Sequence, residues 1–176
     1  IAVTPGSTQE VAEVMRLAYR EGVPVVTRGA GTSLAGGTIP LTGGIVMALT
    51  RMNRILEIDN VNTCAVVEAG VINGEFQARV ESEGLFYPPD PSSLAQCTLG
   101  GNVACCSGGP RCLKYGVTKD YVQGLTIVLA NGEVLEWGGK LHKNVTGYNL
   151  AQLFIGSEGT LGTVTRMILR LLPLPR

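Results

Sequence analysis

Apolar residues at Val11, Val14, Met15, Leu17 and Ala18 recur at the spacing of one helical face. Ahead of them, Thr4-Pro5-Gly6-Ser7-Thr8-Gln9-Glu10 reads as a turn and cap. Ser7 or Thr8 can accept the first free N–H groups, and Glu10 stands three beyond Ser7, as a capping box requires. Gly22 ends this helix. Short apolar runs flank it, Ile1-Ala2-Val3 before and Val23 to Thr27 after, so the start of the chain predicts a strand–helix–strand unit. Ile45 to Leu49 predicts another strand, and Asn53 to Asp59 leads into a fourth. The pattern changes near Asn60. A lobe boundary is therefore expected at about 56–60, with a first lobe at about 1–57 and a second at about 58–176.

In the second lobe, Cys64 to Gly70 reads as a strand and Ile72 to Glu83 as a helix. Gly84 to Pro91 is an extended segment stiffened by proline. Leu125 to Leu129 predicts a strand that turns at Asn131-Gly132 and returns over Glu133 to Trp137, the clearest hairpin in the chain. Leu150 to Phe154 predicts a short helix, and Thr163 to Leu171 a final strand. The fold class is α/β (α+β), with a small N-terminal βαβ-containing lobe and a larger mixed or antiparallel sheet lobe with helices.

Composition narrows the function. The 176 residues carry 14 basic and 14 acidic side chains, a balance that gives no support for nucleic-acid binding. No apolar stretch has transmembrane length. The five cysteines are an odd number with an adjacent pair, Cys105-Cys106, and so read as reduced thiols of a cytoplasmic-type protein. A single histidine, His142, argues against a histidine-based metal site, and no metal ligand set is assigned. The chain begins at Ile1 and stops at Leu172-Pro173-Leu174-Pro175-Arg176, as a fragment or domain of a longer protein would.

Glycine is the richest signal: 24 in 176 residues, against a usual share of about 7%. The first cluster, Arg28-Gly29-Ala30-Gly31-Thr32-Ser33 with Gly36-Gly37, can form a nest of N–H groups that holds a diphosphate without a lysine. It departs from the Gly-x-Gly-x-x-Gly fingerprint and lacks the Walker lysine, and an ordinary glycine-rich surface loop remains the other reading. In the second region Asp90, Ser92 and Ser93 can hydrogen-bond a ligand. Thr98 to Ala104 offers small groups where a flat ring or ribose can lie against backbone, or where a tight turn is simply filled. In the last cluster, Gly156 to Gly162, the Glu158 carboxylate suits a ribose hydroxyl or an adenine edge, or else a salt-bridged turn. Adjacent cysteines lack the spacing of a redox pair or a zinc knuckle. His142, with Lys140 and Lys143, fits a surface stretch or a ligand edge.

Taken together and in order, Pro24 to Pro40, Arg51-Met52-Asn53-Arg54-Ile55, Phe86 to Ser93, Cys97 to Gly109, Lys114-Tyr115-Gly116, Val145 to Leu150 and Phe154 to Gly162 resemble the FAD-binding (PCMH-type) domain of the vanillyl-alcohol oxidase/p-cresol methylhydroxylase superfamily. The group resembled most is that of the glycolate oxidase D-subunit and the FAD-linked D-lactate dehydrogenases. The resemblance implies two α/β lobes with FAD between them. It places Arg28, Gly29, Ala30, Gly31, Thr32 and Ser33 on the pyrophosphate. A second flavin-contacting segment matches Pro89, Asp90, Ser92, Thr98, Gly100, Gly101, Asn102, Ala104, Ser107 and Gly108. Later contacts match Gly156, Glu158, Gly159, Thr160 and Gly162, with a backbone contact near Ile168. Some relatives attach the flavin through a histidine of the first loop. Thr32 stands at that place here. Other branches attach the flavin through cysteine, for which Cys97, Cys105 and Cys106 are the candidates near the ring, but the expectation is non-covalent FAD.

Relatives commonly carry an acidic or asparagine-rich pair where this chain has Cys105-Cys106. The family's C-terminal cap domain, which supplies the substrate pocket, has no counterpart in these residues, so no catalytic residue is assigned. The resemblance implies an FAD-dependent 2-hydroxy acid dehydrogenase or oxidase in the complete protein, passing hydride from the hydroxy acid to flavin N5. It further implies a cap domain or capping subunit and a possible iron–sulfur or electron-acceptor subunit. The expected location is cytoplasmic, peripheral to a membrane only through a partner. Three alternatives stay open: a stand-alone FAD-binding subunit, a related FAD enzyme of another substrate class such as an alkyl-glycerone-phosphate synthase, and a flavin-free structural or interaction module.

Overall fold

In the computed structural model, which describes residues 1–175, the predicted helical stripe becomes α1 (Thr8–Glu21), following the short strand β1 (Ala2–Val3). Ser7 caps the helix, its hydroxyl accepting from Glu10 N at 3.2 Å, while the Glu10 carboxylate reaches back one residue further than a capping box requires, to Gly6 N at 2.8 Å. Gly22 closes it in the left-handed conformation, φ 63°. The buried face is Val11, Ala12, Met15 and Ala18. Leu17, expected on that stripe, is instead 48% exposed, because the face turned to the core runs through Ala12.

The strands β2 (Val25–Arg28) and β3 (Ile45–Ala48) run parallel to each other and to β1, in the order β1-β3-β2. Val3, Val25 and Met47 share one face of this small sheet by register, and they belong to the same hydrophobic core as the apolar side of α1. The chain then changes sheets. The next strand, β4 (Ile55–Asp59), pairs with β5 (Cys64–Glu68), so the crossing falls between Ala48 and Ile55, ahead of the compositional change near Asn60.

The helix α2 (Asn73–Glu81), the strand β6 (Leu85–Phe86), the helices α3 (Leu99–Cys105) and α4 (Cys112–Tyr115), and one 3-10 turn at Thr118–Asp120 come next. The strands β7 (Val122–Val128) and β8 (Val134–Gly138) form the predicted hairpin, with Gly132 N donating to Leu129 O at 2.9 Å. The helix α5 (Ala151–Phe154) precedes β9 (Thr163–Arg170) and β10 (Leu172–Pro173). The second sheet is five-stranded and wholly antiparallel, in the order β4-β5-β9-β7-β8, while β10 pairs with β6. The last long strand in sequence therefore lies at the centre of the sheet.

One core joins the two sheets. Phe76 and Val80 of α2, Leu99 and Val103 of α3, Tyr87 and Tyr121 bury against Val67, Met167, Leu169, Leu125 and Ile127. Tyr87 makes edge-on ring contacts to Phe76 at 5.2 Å and to Tyr121 at 5.7 Å between centroids. The buried Gln77 and Asn73 side chains donate to the Pro89 carbonyl at 2.8 and 3.1 Å, and Gln77 also to the Tyr87 carbonyl at 2.9 Å. These bonds hold the proline-stiffened segment 87–91 to α2, and they aim the following residues at the gap between the sheets.

Candidate functional site

The gap is a cleft of about 340 Å³ where the carboxyl ends of β2 and β3 face α3 and the turn before β9. That is the end of a parallel sheet at which open α/β folds place ligands. Three stretches far apart in sequence line it: residues 27–33, residues 91–108 and residues 157–164.

The first stretch supplies donors. Among the described residues, the backbone N–H groups of residues 29–33 make no hydrogen bond to the protein. Gly31 and Ser33 are exposed and Gly29, Ala30 and Thr32 half-buried, so these donors face solvent or a ligand and not the protein. Gly31 permits the turn with φ 75°. The Arg28 side chain folds back over it, Nη2 donating to Ala30 O at 2.9 Å and Nε to Gly29 O at 3.3 Å. Arg28 thus occupies the loop's carbonyls and leaves its N–H groups free.

The second stretch is the far wall. Thr98 caps α3, its hydroxyl accepting from Gly101 N at 3.3 Å. The N–H groups of Leu99, Gly100 and Asn102 donate to Val71 O, Ala69 O and Thr98 O at 2.9, 2.8 and 2.9 Å. The first turn of α3 is therefore satisfied by the protein and offers no free donors. What it does offer is Asn102. This side chain is 2% exposed and lines the cleft, and its Nδ2 has no hydrogen-bond partner. A buried amide left unpaired costs about 1–3 kcal/mol, which a ligand acceptor would recover.

The third stretch closes the end. Gly156 N and Glu158 N donate to Val103 O and Ala104 O at 3.0 and 2.9 Å, pinning the turn to the last residues of α3. Glu158 adopts a left-handed conformation, φ 52°, and its carboxylate reaches the backbone of the first loop: a β-carbon on Gly37 would lie 3.5 Å from Oε2. Arg28 and Glu158 are the charged residues lining the cleft, so its formal charge is balanced. Among the described residues, no group of three or more His, Cys, Asp or Glu is placed to hold a metal ion.

The structure brings most of the expected contact residues into this one cleft: all six of residues 28–33, then Ser92, Thr98, Gly100, Gly101, Asn102, Ala104, Ser107, Gly108, Glu158, Gly159 and Gly162. Five lie off its wall. Asp90 is turned to Arg111, accepting from its backbone N at 3.1 Å and pairing with its Nε at 3.3 Å. Pro89 is buried, its carbonyl spent on Asn73 and Gln77. Gly156 lies one residue before the cleft-lining Ser157, beside Cys106, and Thr160 folds its hydroxyl onto Ser157 O at 2.6 Å. Ile168 sits mid-strand between Val66 and Gly124, on the face of the sheet away from the core. His142 and Lys143 lie in the exposed stretch after β8.

The cleft also includes Ala69 and Ser157, outside the expected contact set, together with Thr27 at the start of the first loop and Cys97 and Cys105, two of the three cysteines considered for a place near the ring. Thr27 bonds hydroxyl to hydroxyl with Thr163 at 3.0 Å, which joins the two sheets at the cleft floor. Adjacency to the named motifs was the only signal for Thr27 and Ser157. Nothing in the local pattern marked Ala69, which is brought in by the close approach of Gly100. Cys105 is exposed on the rim. Burial raises its thiol pKa, the nearby Ser33 hydroxyl opposes that rise, and the Glu158 carboxylate adds to it.

A run of free N–H groups, an orphaned amide and small-residue walls suit a long cofactor that carries phosphate. The comparisons with known proteins agree. The family model described as an FAD binding domain matches residues 1–138. The chain is 53% identical over 173 residues to the glycolate oxidase subunit GlcD of Bacillus subtilis, covering 98% of this chain and 37% of that protein. It is 43% identical over 176 residues to a D-lactate dehydrogenase of Anaerostipes hadrus, covering 100% of this chain and 37% of that one. Among solved structures, an alkyldihydroxyacetonephosphate synthase superposes with a TM-score of 0.87 at 30% identity, over 99% of this chain and 32% of its own length. The chain thus spans about 37% of the length of the curated relatives it matches.

Proposed function

Because the chain belongs to the FAD binding domain family, we propose that it is the cofactor platform of an FAD-dependent 2-hydroxy acid dehydrogenase or oxidase of the glycolate or D-lactate type. The observation that carries the reading is the free N–H run of residues 29–33 facing the unpaired Asn102 amide across one cleft. The names of the relatives support the substrate class, since glycolate and D-lactate are both small 2-hydroxy acids.

The residues divide the work. The N–H groups of residues 29–33, with the Thr32 and Ser33 hydroxyls, hold the diphosphate, and Arg28 sets the loop's shape while adding one positive charge nearby. Asn102 donates Nδ2 to a polar edge of the cofactor. Gly100, Gly101 and Ala104 leave room for a flat group to approach the backbone, and Glu158 at the far end accepts from hydroxyl or amino groups. When bound, FAD supplies the two-electron chemistry, the capacity to accept hydride from the hydroxyl-bearing carbon. The attachment is non-covalent, with Thr32 at the loop position considered for a histidine link.

The remainder of the complete protein, as a cap domain or a capping subunit, orients the substrate and supplies the general base. Closing the cleft also excludes water from the reacting atoms. Electrons leave through an acceptor that includes an iron–sulfur or similar partner subunit, on the cytoplasmic side. Among the described residues no helix is long and apolar enough to cross a membrane.

Titrating the complete protein with FAD, followed by the flavin bands near ~375 and ~450 nm and by fluorescence quenching, tests the platform. Saturable one-to-one binding is expected, and a folded sample that does not bind would overturn it. Anaerobic addition of glycolate or D-lactate is expected to bleach the longer-wavelength band. A bound flavin that no 2-hydroxy acid reduces would remove the substrate class and leave the platform standing.

A further inference from the structure

Cys105 ends α3 as an exposed residue whose thiol is partly buried, and it lines the same cleft as residues 29–33. Ser33 of that loop and Glu158 of the last turn line the cleft with it, and Glu158 N donates to the neighbouring Ala104 O at 2.9 Å, so Cys105 stands where the two loops meet. Three residues earlier on the same helical face, Asn102 leaves its buried Nδ2 unpaired in this cleft, an independent sign that the space in front of Cys105 is built for a ligand. The other cysteines are placed differently. Cys64 and Cys97 are buried, while Cys106 and Cys112 are half-buried and off the cleft wall.

We propose that Cys105 is a thiol-modification site mutually exclusive with the cofactor: a low-mass disulfide exchanging onto its Sγ blocks the cleft, and an occupied cleft shields the thiol. This rests on the reading of the cleft as the FAD site. In the exchange, the Cys105 thiolate attacks one sulfur of the disulfide. A protein–S–S–R bond forms, the original S–S bond breaks, and RS⁻ leaves with its electron pair, so no further oxidant is needed. The adduct then fills the space beside Ser33 that the diphosphate loop needs open. Since the thiolate is the nucleophile, the raised thiol pKa makes exchange slow near neutral pH and faster toward alkaline pH.

The test uses the complete protein freed of flavin and an aromatic disulfide that releases a coloured thiolate, with each cysteine mapped by peptide mass spectrometry. FAD at ten times its Kd is expected to slow modification of Cys105 about 10-fold, as occupancy dictates, and to leave Cys112 unchanged as an internal control. Protein modified beforehand is expected to lose FAD binding and to regain it on reduction, whereas C105S is expected to bind FAD equally before and after the reagent. Equal Cys105 rates with and without FAD, in protein that does bind FAD, would overturn the inference and leave the FAD site standing. Undiminished FAD binding by protein carrying the Cys105 adduct would do the same. Failure of the unmodified, folded protein to bind FAD would overturn both.

Discussion

Gly29 and Thr98 are in direct contact: the Thr98 hydroxyl oxygen fills the place a side chain on Gly29 would need. The first loop of the small parallel sheet therefore rests on the residue that caps α3. Gly29→Ala forces these two walls of the cleft apart. Overpacking of this kind costs about 1–3 kcal/mol, so FAD affinity is expected to fall roughly 10-fold or more. Flavin titration checks it, and adding Thr98→Ala to the variant should recover part of the loss. A single variant that binds FAD normally would show that the contact does not set the cleft.

At Gly31 backbone and charge act together. Its φ of 75° disfavours any side chain, and a β-carbon there would meet the Arg28 guanidinium. Gly31→Asp adds bulk, strain and a negative charge beside the N–H groups that hold the diphosphate. The expected outcome is loss of measurable FAD binding in a protein whose far-ultraviolet circular dichroism is unchanged. Unaltered affinity in the folded variant would dismiss residues 29–33 as the diphosphate site.

Asn102 separates binding from stability. In the flavin-free protein its Nδ2 is buried and unpaired, so Asn102→Leu removes an unsatisfied group at nearly constant volume. The flavin-free variant is expected to melt no lower than the parent. Its FAD affinity should drop about 5- to 30-fold, the equivalent of the ~1–2 kcal/mol of one hydrogen bond. A variant that is less stable without flavin yet binds it normally would mean that Asn102 serves the fold and not the ligand.

Glu68 predicts a pH dependence. Burial pushes its carboxyl pKa up, but hydrogen bonds from the Arg54 side chain and backbone, with the charge of Arg54, more than offset this, and the net direction is down. A carboxyl whose folded pKa lies below its unfolded value, about 4.3 for glutamate, contributes stability that is complete above that value. The contribution is lost as pH falls through the folded pKa. Glu68→Gln is therefore expected to lower Tm at pH 7, with the gap to the parent closing as pH drops below about 4. Melting curves from pH 7 down to the acid limit check this, and a gap that stayed constant with pH would refute it.

Local chemistry was legible wherever a residue acts on its own neighbours. Ser7 capping α1, Gly22 stopping it, and Asn131-Gly132 turning β7 into β8 are short-range events. α3 was not legible as a helix. Gly100 and Gly101 are poor helix formers, and they stand there because a β-carbon on Gly100 would collide with Ala69. Leu17 and Ala12 exchanged roles for a similar reason: periodicity marks a stripe, and the sheet beneath the helix chooses its centre.

The class of fold, the order of the glycine loops and the kind of ligand they suit are written in the residues themselves, since turns, caps and N–H nests are encoded within a few positions. Which of those residues share a wall follows from the three-dimensional packing. That packing turned Asp90 to Arg111, set Ile168 on the outer face of the sheet, and carried β9 to the centre, where it brings the turn at Glu158 to α3 and the first loop. Those placements depend on pairing between distant strands and on which partner reaches a polar group first, and neither is written in the spacing of nearby residues.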